Sequence, residues 1–279
     1  MQHRERHVNH PLKDKGLADR IVLVTGSGRG IGRGAAVGLA RRGARLALLD
    51  VTDDELDRTV ALARAEGAQV IALRADLRRR DEIDRALATL AGVWGPPDVL
   101  VNNAAVLHLK SFEETDPSVW DDTIRVNLEA AYYLTWRVYR HMLDCGRGHI
   151  LSMSSNAGVR PFALETAYCA AKYGIEGLFR SLAVEAMAHG VFVVLCTPGK
   201  TTKPTSMTDG AFAALAPEDQ SRYSGPEVFA EAFGYLAAVS DRAFSGRRFD
   251  LYALAELVRE QGWSVPGALA LQRAERDHV

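Results

Sequence analysis

Short runs of apolar, mostly β-branched residues recur along the chain, separated by longer stretches with a helical repeat. The runs are continuous and do not alternate with polar residues, as is typical of strands covered by helices on both faces of a sheet. We therefore predict strands at Ile21–Thr25, Ala44–Asp50, Gln69–Asp76, Asp98–Asn103, His149–Ser155 and Val191–Cys196, and a seventh at Arg247–Tyr252.

The stretches between these strands carry the spacing of amphipathic helices. Leu56, Val60 and Ala63 repeat at i, i+4 and i+7, after an acidic start at Asp53 and before Gly67. Strands that alternate with helices favour parallel pairing with right-handed crossovers. The pattern predicts an α/β fold, a doubly wound parallel sheet (Rossmann-like) of about seven strands flanked by helices.

No internal repeat or interdomain linker interrupts this pattern, so we predict one domain at 18–254. A flexible polar N-terminal tail, 1–17, precedes it, and a C-terminal helix and tail, 255–279, follow it. Leu254, Leu257 and Val258 have the spacing of a short amphipathic helix, for which a neighbouring subunit is one candidate partner.

Composition narrows the classes of partner. The 279 residues carry a formal net charge of −1, with 47% hydrophobic and 25% charged residues. No basic face suggests nucleic acid, and no apolar run is long enough for a signal sequence or a membrane span. Cys145, Cys169 and Cys196 are odd in number and lack metal spacing, so we expect free thiols, no metal site and a cytoplasmic location.

A glycine-rich turn, VTGSGRGIGRGAA, follows the first predicted strand and begins a helix. Its glycines would let the backbone approach a pyrophosphate at the helix N-terminus, where free N–H groups and the helix dipole favour an anion. A lone glycine repeat can also be a tight packing turn, but the strand–turn–helix context favours a dinucleotide site. The candidate contacts are Gly26, Ser27, Arg29, Gly30, Ile31 and Gly32.

Asp50 ends the second predicted strand, close to the usual offset of a ribose-binding carboxylate from the glycine turn. A carboxylate there accepts hydrogen bonds from both ribose hydroxyls and repels a 2′-phosphate, which favours NAD over NADP. Val51, in place of a basic residue, supports NAD. Arg29 could meet a 2′-phosphate, so dual specificity stays an alternative.

Tyr168 and Lys172 lie four residues apart in an alanine-rich stretch, so one helical turn places them on the same face. This spacing alone is a weak signal. Ser154 and Ser155 end a predicted strand upstream, and strand alternation points them in opposite directions. Asn127 is polar on an otherwise apolar helix face, where a structural hydrogen bond is the simplest role.

Together these residues resemble the short-chain dehydrogenase/reductase family in its compact single-domain branch, over about Ala18 to Tyr252. The resemblance also covers NNAA at Asn102–Ala105 and PG at Pro198–Gly199. It implies catalytic roles for Asn127, Ser155, Tyr168 and Lys172. It further implies cofactor contacts at Asp76 and Leu77 beside the adenine, and at Asn103, Ala104, Tyr168, Lys172, Pro198, Gly199 and Thr201.

The resemblance implies that Tyr168 is the acid/base of a hydride transfer between an alcohol carbon and nicotinamide. A free phenol has a pKa near 10, and we expect the nearby Lys172 ammonium, aided by the oxidised nicotinamide ring, to lower it. Ser155 would orient the substrate oxygen, and Asn127 would hold a water that links Lys172 to solvent. The family's NNAG and DGG segments are altered here, and Thr201 and Lys203 occupy places where other residues are usual, which leaves the nicotinamide contacts open.

The predicted function is that of an NAD-dependent oxidoreductase that interconverts a secondary alcohol and a ketone. Cations in the loops at the cleft suggest a polar, sugar-like or anionic hydroxy substrate, with surface charge of no substrate role as the alternative. The stretch from Lys200 to Ser224 is predicted to be a mobile lid with Gly210 as hinge. The resemblance implies a homo-oligomer, a dimer or a tetramer. A non-catalytic dinucleotide-binding regulator is the alternative function, and an epimerase of the family's larger branch ranks last.

Overall fold

The computed structural model describes residues 16–203, 207 and 212–274, and its framework is one parallel sheet of seven strands. The spatial order is β3-β2-β1-β4-β5-β6-β7, and every neighbouring pair is parallel. The strands are β1 (Ile21–Thr25), β2 (Arg45–Asp50), β3 (Val70–Arg74), β4 (Val99–Asn102), β5 (Gly148–Met153), β6 (Val191–Thr197) and β7 (Arg248–Asp250). The doubly wound fold is confirmed.

Helices cover both faces of the sheet. They are α1 (Gly30–Arg41), α2 (Asp53–Ala65), α3 (Arg80–Val93), α4 (Pro117–Ile124), α5 (Ala130–Cys145), α6 (Thr166–Ala186), α7 (Pro217–Gln220), α8 (Ala230–Ala238), α9 (Leu251–Gln261) and α10 (Gly267–Ala270). A π-helical turn, Arg125–Glu129, joins α4 to α5. None of the helices in the described part is long and apolar enough to cross a bilayer.

The hydrophobic core forms two layers because the strands bury both of their faces. Side chains of α1, α2, α8 and α9 pack on one face, and those of α3, α5 and α6 pack on the other. Five of the first six strands are buried along all or nearly all of their length, which explains why their sequences show no alternation. This arrangement leaves the carboxyl ends of the strands, where the order reverses between β1 and β4, as the place for a ligand.

Helix α9, Leu251–Gln261, crosses the domain boundary expected after residue 254. The Asp250 carboxylate caps it by accepting a hydrogen bond from the Ala253 N–H at 2.9 Å. Leu254, Leu257 and Val258 are buried in the chain's own core. They therefore contact their own domain, so the apolar face expected to meet a neighbouring subunit is used within the chain.

The segment after α9 returns to the sheet. Trp263 stacks under the Arg42 guanidinium at 3.9 Å, and Ala274 pairs in antiparallel fashion with Phe249 of β7. The predicted hinge, Gly210, lies outside the described residues. The described parts of the predicted lid are tied at its base, where Thr202 pairs with Ser224.

Candidate active site

Two glycines of the turn after β1 are packed so closely that a side chain would not fit at either position. A Cβ at Gly32 would lie 2.0 Å from the Gly26 carbonyl oxygen, and one at Gly26 would lie 2.7 Å from the Ala104 Cα. Gly26 also has φ of +60°, in the left-handed region that favours glycine. The turn is thus a bare backbone surface at the N-terminus of α1, a suitable cradle for a pyrophosphate.

Two polar side chains hold this turn against the end of β4. The Asn103 amide donates to the carbonyl oxygens of Thr25 at 2.9 Å and Gly26 at 3.0 Å. The Thr25 hydroxyl accepts from the backbone N–H groups of Asn103 at 3.0 Å and Ala104 at 3.2 Å. Asn103 and Thr25 therefore fix the turn relative to the neighbouring strand.

Asp50 lies at the end of β2 and points its carboxylate at the same turn. One carboxylate oxygen accepts from the Gly28 N–H at 2.8 Å, and the other accepts from Val51 and Thr52 at 2.8 and 3.1 Å. The oxygen that accepts from Gly28 keeps a lone pair for a further donor, whereas the other oxygen already accepts two hydrogen bonds. Asp50 is therefore a rigid acceptor at the edge of the cleft.

A single cleft of about 610 Å³ joins these features to the candidate catalytic residues. Such a volume lies within the range of cofactor and substrate sites. Fourteen of the residues predicted to take part line it: Gly26, Arg29, Gly30, Ile31, Asp50, Val51, Asp76, Leu77, Asn103, Ala104, Ser155, Tyr168, Lys172 and Pro198.

The other predicted residues do not line the cleft in the described part of the chain. The Ser27 hydroxyl donates to the Leu49 carbonyl and is fully buried. Gly32 packs against the Gly26 carbonyl and the Asn103 amide and so supports the turn. Gly199 packs on the Asp250 carboxylate, and the carbonyl of exposed Thr201 accepts from the Ser224 N–H at 2.9 Å. Thr202 and Lys203 line the cleft instead of Thr201.

The Ser155, Tyr168 and Lys172 side chains converge because the turn that follows β5 packs against α6. Ser155 lies in the loop after β5, where its hydroxyl accepts from the Ala157 N–H at 3.1 Å and is near enough to the Tyr168 phenol to lower its pKa. The Lys172 amine lies 5.5 Å from the centre of the Tyr168 ring and donates to the Met153 carbonyl at 2.8 Å. Ser154 faces away and donates to Glu176.

Burial dominates the pKa values of Tyr168 and Lys172. Burial raises the pKa of Tyr168 to about 12, although the hydrogen bond with Ser155 opposes the rise. Burial lowers the pKa of Lys172 to about 8, and the charge of Glu176 opposes that fall. In the chain without a coenzyme, burial is thus the largest influence on the phenol pKa. The expected lowering by Lys172 together with the oxidised nicotinamide ring stays a prediction for the enzyme with its coenzyme bound.

Asn127 is buried within the π-helical turn, and its amide nitrogen donates two hydrogen bonds. It donates to the carbonyls of Val106 at 2.9 Å and Thr123 at 2.8 Å, and its oxygen accepts from the Val106 N–H at 3.1 Å. Asn127 also borders a small cavity of about 10 Å³ behind Lys172. A cavity of this size holds about one water.

A comparison with protein-family models identifies the chain. Residues 20–215 match the model described as short chain dehydrogenase. The chain belongs to the short-chain dehydrogenase family. The resemblance inferred from its motifs is thereby confirmed, and the protein is an oxidoreductase of that family.

Curated relatives of this short-chain dehydrogenase include enzymes of small polyols and sugar acids. It is 30% identical to the NAD-dependent glycerol dehydrogenase of Listeria innocua over 228 residues, 82% of this chain and 86% of the relative. It is 33% identical to the 5-keto-D-gluconate 5-reductase of Escherichia coli K12 over 235 residues, 82% of this chain and 92% of that one. Both relatives carry the names of enzymes, so they lend no support to the non-catalytic alternative.

Solved structures agree with the fold of this short-chain dehydrogenase. A metagenomic short-chain oxidoreductase in complex with NADP is similar at 32% identity with a TM-score of 0.69, and the match covers 80% of this chain and 93% of that one. This neighbour is named as a complex with NADP, whereas the glycerol dehydrogenase is named as NAD-dependent.

Sequence reasoning missed several residues that line the cleft. Arg33 donates to the Gly28 carbonyl and to the Thr59 hydroxyl at 3.1 Å, and its guanidinium lies 3.8 Å from Glu55. Glu55 lies in the first turn of α2, where the sequence pattern indicates only an acidic helix start. Phe212 and Tyr223 pack edge to face across the far side of the cleft. Their positions depend on loop geometry and carry no local sequence signal.

Proposed function

We propose that this short-chain dehydrogenase uses NAD to interconvert a secondary alcohol and a ketone. The observation that carries the proposal is the continuity of one cleft from the glycine turn and Asp50 to Ser155, Tyr168 and Lys172. A dinucleotide bound along it would place its reactive ring beside a hydroxyl, a phenol and an amine. A bound nicotinamide coenzyme supplies the hydride acceptor and, when oxidised, a positive charge.

The chain's own groups account for the proton. In alcohol oxidation, the Tyr168 oxygen takes the substrate hydroxyl proton while the Ser155 hydroxyl orients the same oxygen. The Tyr168 pKa of about 12 in the protein alone means that positive charge at the site must favour the phenolate. Lys172 contributes this charge only while it holds its proton.

We further propose that Lys172 exchanges protons with solvent by way of the cavity beside Asn127. Asn102, which also borders this cavity, has a buried amide oxygen with no hydrogen-bond partner among the described residues. A single water there would contact polar groups of Lys172, Asn127 and Asn102. This supports the relay that the family resemblance implies.

Two carboxylates favour NAD over NADP at the ribose end of the cleft. Asp50 presents free acceptor capacity, and Glu55 lines the same wall. Arg33 carries one positive charge and lies 3.8 Å from Glu55, so it offsets one of the two negative charges. A 2′-phosphate would therefore meet net negative potential, with Arg29 as the cation that could oppose it.

For the substrate, we propose a small polyol or sugar acid. The relatives named for glycerol and 5-keto-D-gluconate motivate this class. Lys203, Tyr223 and Ser224 supply polar groups at the substrate end of the cleft. These groups could hydrogen-bond the additional hydroxyls or the carboxylate of such a molecule.

Self-association belongs to the same proposal, as a dimer or tetramer built on α5 and α6. Tyr132 and Trp136 are exposed one helical turn apart on α5, and Tyr173 and Val184 are exposed on α6. Exposed apolar clusters of this kind mark interfaces. The three free thiols, two of them buried, support a reducing, cytoplasmic compartment.

The test is turnover of glycerol, sorbitol and gluconate with NAD and with NADP, followed by nicotinamide absorbance, for the wild type and Tyr168→Phe. We expect turnover of at least one compound by the wild type and a loss of about 10³-fold or more in kcat in the variant, because proton transfer loses its acid/base. NADH binding, measured by fluorescence, should persist in the variant. Comparable turnover by Tyr168→Phe would remove the tyrosine from its role.

A further inference from the structure

Glu176 is a buried carboxylate one helical turn after Lys172 on α6. Its side chain accepts from the Ser154 hydroxyl and from Arg180 at 3.0 Å, and Arg248 lies at 3.5 Å. Only 8% of the Glu176 side chain and 3% of the Arg248 side chain are exposed. Two guanidinium groups and a hydroxyl surround one carboxylate, which is the setting of strong, charge-assisted hydrogen bonds. Breaking such a buried pair by removing one partner leaves an uncompensated charge.

Arg248 connects this carboxylate to the loop that carries Ser155. The Arg248 guanidinium donates to the Ser155 carbonyl at 3.0 Å, although Arg248 lies on β7. Ser154, the residue before Ser155, is held by Glu176 from the other side. Ser154 is closely packed on this side, because a Cβ at Gly158 would lie 2.8 Å from the Ser154 hydroxyl. The Glu176–Arg248 ion pair therefore holds this segment at two neighbouring points, the Ser154 hydroxyl and the Ser155 carbonyl.

The charged groups around Lys172 lie on α6 and β7, and neutral polar groups come from β5, β6 and the residue after β5. Glu176 and Arg180 belong to its own helix, and Arg248 belongs to β7. On β6, the Cys196 thiol is buried, and its pKa is raised by desolvation and by the charge of Glu176, so it stays neutral. The Met153 carbonyl at the end of β5 and the Ser154 hydroxyl just after it add no net charge. Glu176 is thus the anion that opposes the loss of the Lys172 proton.

We propose that Glu176, clamped by Arg248 and Arg180, is a positioning residue that keeps Lys172 charged and holds the Ser155 loop in place. The proposal rests on the roles proposed above for Lys172, Tyr168 and Ser155. It assigns a function to a buried ion pair that touches neither substrate nor coenzyme. The group acts through its neighbours, so its removal should change a pH profile and not merely a rate.

The test replaces Glu176 by Gln and measures two pH profiles. The first is kcat/KM for oxidation of whichever polyol or sugar acid of the panel turns over fastest. The second is the NADH dissociation constant, which needs no substrate. Without the anion, Lys172 should lose its proton at lower pH, so the alkaline decline in both profiles should move down by about one to two pH units.

Three further variants separate the charge of Glu176 from its shape and serve as controls. Glu176→Asp keeps the carboxylate and should keep the wild-type profile. Glu185→Gln makes the same change at an exposed position of α6 and should shift neither profile. Arg180→Met removes a cation from Glu176 and should displace the alkaline decline upward, opposite to Glu176→Gln.

The outcomes separate this proposal from the proposed function. If Tyr168→Phe retains turnover, the catalytic assignment fails. If Tyr168→Phe is inactive but Glu176→Gln leaves both profiles where the wild type has them, the role of Glu176 is overturned and the catalytic assignment stands. Should Glu176→Gln fail to fold, Arg180→Met decides, because an unmoved profile in that variant contradicts the proposal equally.

Discussion

Asp50 shows how one residue can serve the fold and the ligand together. Its carboxylate accepts three backbone N–H groups, from Gly28, Val51 and Thr52. These bonds fix its orientation, so little rotamer freedom remains to be lost when a ribose binds. A carboxylate fixed in this way repels a 2′-phosphate at the same place more strongly than a mobile carboxylate would.

Replacing Asp50 by Asn should change coenzyme preference. The amide keeps an acceptor oxygen but loses the negative charge, so hydrogen bonds to the ribose weaken by about 1.5–3 kcal/mol. We expect kcat/KM with NAD to fall by about 10- to 100-fold and the NADP to NAD ratio to rise. Steady-state kinetics with both coenzymes measure the effect. Asp53→Asn, at an exposed carboxylate paired with Arg74, is the control and should leave the ratio within about twofold of wild type.

A wild-type preference for NADP, or an unchanged ratio in Asp50→Asn, would contradict this assignment. In the first case Arg29, which lines the cleft beside Asp50, becomes the residue to vary.

Individual site residues could be predicted from the sequence where chemistry depends on short spacing. Tyr168 and Lys172 lie on one helix face, a turn apart, and Ser155 follows from its place at a strand end. Glu55 and Glu176 could not be predicted, because their roles depend on contacts with residues distant in sequence. Burial also governs the pKa values of Tyr168 and Lys172, and burial is a property of the packed molecule.

Helix α1 contacts α8 so closely that a glycine is required between them. A Cβ at Gly38 would lie 1.8 Å from the Ala230 carbonyl oxygen, which belongs to the first residue of α8. The two helices form part of the same core layer. Their approach therefore helps to set the position of the glycine turn, because α1 begins at that turn.

Gly38→Ala should destabilise the protein by about 1–3 kcal/mol, since steric displacement of α8 outweighs the gain in helix propensity of about 1 kcal/mol. Gly92→Ala is the matched control, because it lies in α3 and an added Cβ would meet nothing within 4 Å. That variant should be more stable by about 0.5–1 kcal/mol. Urea unfolding followed by circular dichroism measures both, and a Gly38→Ala variant as stable as the wild type would show that α8 moves freely.

The strands could be predicted from the sequence because a continuous apolar run of this length, bounded by turn residues, favours a buried strand. Their ends are harder to predict: the sequence pattern extends β3 to Asp76, but the strand ends at Arg74. The Asp76 carboxylate accepts from the Arg78 N–H at 3.0 Å and begins a turn there. The π-helical turn around Asn127 could not be predicted, since nothing in RVNLE distinguishes it from an ordinary helix.

His149 ties the sheet to the helical layer at the end opposite the active site. Its ring nitrogen donates to the Val239 carbonyl, just after α8, at 3.1 Å, and the ring stacks on Phe192. Burial lowers the pKa of His149 to about 4. The folded protein therefore prefers the neutral ring, whereas the unfolded chain binds a proton near pH 6.5.

The sign of the pH effect follows from this depressed value. The contribution of His149 is fully present above pH 6.5 and is lost as the pH falls toward 4, at about 1.4 kcal/mol per pH unit. Between pH 7.5 and 5 the loss should be about 2 kcal/mol. His149→Gln should lack this part of the acid sensitivity in urea unfolding, whereas His189→Gln, at an exposed site, should behave as the wild type. Equal acid sensitivity in all three proteins would rule out His149 as its source.

The antiparallel pairing of Ala274 with Phe249 gives the outermost strand a neighbour on its otherwise open side. A lone terminal strand offers unpaired amides and carbonyls onto which another polypeptide can add. Here the chain's own returning segment occupies that position, anchored by the stacking of Trp263 on Arg42. Loss of this segment would therefore promote aggregation before it affected catalysis at the distant cleft.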